Sequence, residues 1–108
     1  MRNLEVAEIG QTAEKEVENW LITNGFINVL KINGQSGRTA IEANGTVENI
    51  LVHIKTALDP NRPGKISEDE KNKLKLSSAK LGRKAYVAYV VIGEDNKVVG
   101  EISWERLS

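Results

Sequence analysis

The residues best able to do chemistry cluster around one short segment. Lys55 follows His53 by two positions in Leu51-Val52-His53-Ile54-Lys55, an otherwise apolar run. That spacing puts both side chains on one face of a strand. An ammonium withdrawn from water without a partner is costly, so Lys55 must meet an acid or reach a polar cleft. Glu42, in Ala40-Ile41-Glu42-Ala43, is a nearby acid on the preceding strand, and Glu14 is a second one on the first helix. Each residue has a plain alternative: an ion pair with Glu42 or Glu14 for Lys55, a satisfied sheet position for His53, a solvated helix surface for Glu14.

A second group is electrostatic. Net charge is zero, yet residues 1–53 hold four Lys/Arg against seven Asp/Glu, and residues 54–108 hold eleven against eight. The span 71–84 carries Lys71, Lys73, Lys75, Lys80, Arg83 and Lys84 and no acid. A local basic face on a neutral protein can contact a phosphate backbone, and its plain alternative is a solvated helix surface. Cysteine is absent, which removes disulfides, thiolate metal sites and cysteine nucleophiles. No zinc pattern, Ser/His/Asp grouping or Gly-rich phosphate loop is present, and Gly34-x-x-Gly37 alone is too weak a signal.

These side chains need elements to hold them. At 108 residues the chain is expected to form one domain, 1–108. Residues 12–24 predict an amphipathic helix with Ala13, Val17, Trp20, Leu21 and Asn24 on its inner stripe, stopped by Gly25. Residues 26–32 alternate as a strand with Phe26, Asn28, Leu30 and Ile32 on one side. After a loop at 34–37, a strand at 39–43 turns through Asn44-Gly45 into a third strand, about 48–56, that reads as buried on both faces. The loop 58–64 carries two prolines, and Ser67-Glu68-Asp69-Glu70 is a capping box that opens a second helix ending near Leu81. Residues 85–92 form a buried strand, and a last strand runs from Lys97 to about Trp104. The expected class is α/β (α+β), in the order α-β-β-β-α-β-β, with helices packed on a central mixed sheet.

This arrangement resembles the PD-(D/E)XK nucleases, a restriction-endonuclease-like fold, and looks closest to the archaeal-type Holliday-junction resolvases. The residues carrying the likeness are Gly10-Gln11-Thr12-Ala13-Glu14, Ala40-Ile41-Glu42-Ala43 and Leu51-Val52-His53-Ile54-Lys55. The resemblance implies a helix acid at Glu14, the motif lysine at Lys55, and one or two Mg²⁺ or Mn²⁺ ions that activate water beside a phosphodiester. Two positions depart: Ala40 stands where an Asp is expected, and His53 where an Asp or Glu is expected. Imidazole is a poor Mg²⁺ ligand and suits Mn²⁺ better. Glu42 and His53 are then the remaining candidate metal ligands.

The expectations are therefore two. One is a nucleic-acid-binding protein, with DNA as the partner and Lys71, Lys75, Lys80, Arg83 and Lys84 on the backbone. It would hydrolyse phosphodiesters if Glu14, Glu42, His53 and Lys55 still form a site. The other is a catalytically degenerate domain serving as a structural or regulatory subunit. The resemblance further implies a homodimer. No apolar run reaches the ~20 residues needed to span a bilayer, and residues 1–5 lack signal-peptide order, so a cytoplasmic protein is expected.

Overall fold

A strand that runs parallel to its predecessor needs a long crossover, and the second helix of this chain provides one. The computed structural model of the protein describes residues 6–33 and 39–108. In chain order these form α1 (Val6–Thr23), β1 (Ile27–Asn33), β2 (Thr39–Asn44), β3 (Asn49–Leu58), α2 (Glu68–Lys80), β4 (Lys84–Ile92) and β5 (Ser103–Arg106). The strands make one mixed sheet in the order β1-β2-β3-β4-β5, parallel only between β3 and β4. The expected α-β-β-β-α-β-β order is the observed one. The loop expected at 34–37 lies outside the described residues.

α1 covers one face of the sheet. Ala13, Val17 and Leu21 are fully buried against Ile41, Ala43, Ile50, Val52, Ala88, Val90 and Ile92. The helix starts six residues earlier than its strongest periodicity suggests, because Ile9 extends the same stripe by a turn and no proline intervenes. Trp20 does not enter this core as expected. It is 39% exposed and rests on Trp104, with ring centroids 4.7 Å apart.

β1 departs from simple alternation. Asn28 takes a φ of 53°, and the register slips between Ile27 and Leu30, so one extra residue bulges out. Phe26 and Val29 consequently pack on the α1 side, while Leu30 pairs with Glu42 on the other. The expected grouping of Phe26 with Leu30 fails for that reason.

α2 lies on the opposite face, over a smaller cluster of Ile66, Ala85, Val87 and Leu107 edged by Leu74 and Tyr89. Ser67 caps it by accepting the Glu70 amide at 3.2 Å, as the sequence pattern predicts. The last strand begins at Ser103, later than the expected Lys97. Before it, only Ile92 and Val98 bridge, and Gly100 turns the backbone at φ +72°. No described helix is long and apolar enough to cross a membrane.

Candidate functional site

Strand alternation decides which candidate residues can meet. Glu42 pairs with Leu51, Ala40 with His53, and Lys55 lies beside Tyr89, so Glu42, His53 and Lys55 all occupy the α2 face. Glu14 does not join them. It sits on α1 across the sheet, where its Oε2 lies 3.3 Å from Lys31 Nζ without the alignment of a hydrogen bond.

Lys55 has a partner that neither expected pairing named. Its Nζ donates to Glu70 Oε1 and Oε2 at 3.2 and 3.1 Å. Glu70 is the capping-box acid of α2, and Ser67 Oγ also donates to its Oε1 at 3.3 Å. The capping pattern announced this acid, and nothing in the sequence announced that it would face β3.

Glu42 is engaged separately. Arg83 Nε lies 3.6 Å from its Oε2. The same guanidinium donates through one terminal nitrogen to Ala43 O, Asn44 Oδ1 and Ile50 O at 3.1, 2.9 and 3.3 Å. Arg83 thus pins the end of α2 to the β2–β3 hairpin rather than facing solvent.

Tyr89 and Glu105 complete the polar group beside Lys55, and neither was singled out from sequence. Tyr89 donates to Glu105 Oε1 at 2.6 Å and accepts from the Ile66 amide at 3.4 Å. Burial, reinforced by Glu105, raises the phenol above its ordinary pKa. The Tyr89 hydrogen bond, aided by Lys71, holds the Glu105 carboxyl below its usual range. Lys71 Nζ lies 3.7 Å from both Glu105 and Glu68.

The remaining basic residues do not form one stripe. Successive helix residues turn by 100°, and Leu74 and Ser78 mark the line of α2 that meets the sheet. Lys73 and Lys80 lie well round from that line, on the solvent side of the helix, where Lys73 pairs with Asp69 at 3.1 Å, whereas Lys75 follows Lys71, toward β5. Lys84 is exposed at the start of β4 and helps lower the Glu48 carboxyl.

On the β3 side α2 stops short of the sheet edge. β1 is exposed there, with Ile27 and Leu30 at 65% and 57%, whereas Ala40 on β2 is only 7% exposed.

No protein-family model matches the chain, and no curated protein matches it.

The donor set does not fit the divalent metal that the resemblance implies. Among the described residues no three His, Asp or Glu side chains gather. Ala40 brings no oxygen opposite His53, Glu42 is turned to Arg83, and Glu14 lies on the far face. What the arrangement offers an anion is surface charge: Lys55 lies under the start of α2, held by Glu70, and Lys73, Lys75 and Lys80 are exposed along the helix.

Proposed function

We propose that this chain is a nucleic-acid-binding domain of nuclease-like build that holds a phosphate backbone without cutting it. The observation that carries this reading is the basic surface of α2: Lys73, Lys75 and Lys80 are exposed along the helix, with Lys55 beneath its first turn. Lysines placed this way supply sequence-independent attraction to phosphates. Absence of a gathered donor set at Ala40, His53 and Glu42 argues for binding over hydrolysis. The test is anisotropy of a labelled DNA oligonucleotide across a salt series, run beside a cleavage assay in Mg²⁺ and Mn²⁺. Binding that weakens steeply with salt, with intact DNA, is the expected result. Salt-insensitive or absent binding overturns the reading, and cleavage lost in Lys55→Ala would replace it with an enzyme.

One observation favours a second reading, a degenerate domain that serves as an interaction subunit. Ile27 and Leu30 lie bare on an edge strand, a surface that an apolar protein partner would cover. Substituting both by Ser should abolish partner capture under that reading and leave DNA binding intact under the first.

A further inference from the structure

We propose that α2 is an independently opening cover, latched over Lys55 by Glu70. The two helices are attached to the sheet in different ways. α1 buries Ala13, Val17 and Leu21 completely, whereas α2 buries only Ser78, with Leu74 half-buried and Leu76 and Leu81 facing solvent. Apolar burial therefore secures α2 weakly. Its N-terminal half, beyond the buried Ile66 that fixes the chain just ahead of the Ser67 cap, is held by polar bonds: Glu70 to Lys55, and Lys71 to Glu105.

The two ends are unequal. At the C-terminal end, Gly82 takes a φ of +69°, and the adjacent Arg83 is bound to Ala43, Asn44, Ile50 and Glu42. That end stays fixed to the β2–β3 hairpin while the N-terminal turns release. Elements with few buried apolar contacts open below the global unfolding free energy. Release of Glu70 hands the Lys55 ammonium to solvent on the face it shares with His53 and Tyr89. The cover does not depend on what then binds.

Native-state amide exchange on the full chain tests this, comparing wild type with Glu70→Gln and Lys55→Met. Glutamine keeps the backbone amide that Ser67 caps, and methionine keeps the apolar stem of Lys55. Each variant should speed exchange of amides 71–81 by about fivefold, the scale of one half-exposed ion pair, and leave the β3 and β4 amides unchanged. About 0.5 M salt should loosen α2 in wild type and add little in either variant. The β3 and β4 amides report whether the variants stay folded. If wild-type α2 exchanges no faster than β3 and β4, or if a variant accelerates all three equally, α2 opens only with global unfolding and the proposal is wrong. If only one variant loosens α2, this ion pair is not the latch.

Discussion

Ala40 stands directly across the β2–β3 ladder from His53, and each is only 7% exposed. Opposed residues on paired strands hold their Cβ atoms about 5 Å apart, close enough for two side chains to share a cation. In this chain a methyl group faces an imidazole.

Placing carboxylates at both positions should make a metal responsive where wild type is not. Ala40→Asp with His53→Glu puts two buried charges together and should cost about 3 kcal/mol or more without a cation. Millimolar Mn²⁺ should raise the melting temperature of this double variant and leave that of wild type unmoved. A variant indifferent to Mn²⁺ would mean that the two positions do not converge on a common point.

Lys55 and Glu70 should affect DNA binding in opposite directions. An incoming phosphate competes with Glu70 for the ammonium, so Glu70→Gln should tighten binding by about threefold. Lys55→Met should weaken it and lower the salt slope by about one. Anisotropy titrations at several salt concentrations measure both, and weaker binding by Glu70→Gln would contradict the competition.

The basic residues should separate into struts and contacts. Arg83→Ala removes the donor shared by Ala43 O, Asn44 Oδ1 and Ile50 O together with the ion pair to Glu42, and should cost about 2 kcal/mol in chemical denaturation. Lys80→Ala should leave stability within about 0.5 kcal/mol and weaken DNA binding instead. Equal effects of the two on stability would refute the distinction.

Stability should also fall at both ends of the pH scale through one cluster. Tyr86 donates to Glu48 Oε1 at 2.5 Å, and Arg106 donates to both Glu48 oxygens at 3.1 and 3.0 Å. The Tyr86 hydrogen bond, followed by Arg106, lowers the Glu48 pKa below 4.5. A depressed carboxyl stabilises the fold above its unfolded pKa and loses that contribution as pH falls through the folded one, so the loss comes below 4.5. Burial, then Glu48, raises Tyr86 above 10.0. Its contribution is intact below the unfolded value and disappears as pH rises past the folded one. Tyr86→Phe should cost about 1 kcal/mol at neutral pH and flatten both limbs of a stability–pH curve. Unchanged limbs would assign the pH dependence elsewhere.

The parts of the fold visible in the sequence were those with strong local chemistry. Ser67 and Glu70 marked the start of α2, and Asn44-Gly45 marked the hairpin, because caps and tight turns depend on neighbours in the chain. The bulge at Asn28 and the late start of β5 were not visible, since both depend on how strands pair across the sheet. Site residues divide along the same line. Lys55 needed a partner, and that much followed from burying an ammonium. That Glu70 would meet it, Arg83 would take Glu42 and Glu14 would turn to Lys31 depends on where the two helices dock, on opposite faces of the sheet.

The bulge in β1 has a bearing on how copies of this molecule behave when concentrated. An outermost strand with straight, regular pleats offers its unused amides and carbonyls as a template on which further chains can stack. Asn28 breaks that regularity near the beginning of the strand, beside two bare aliphatic side chains. Excising this one residue would restore an even pleat along the rim, and the shortened chain should form fibres in conditions where the parent stays dispersed.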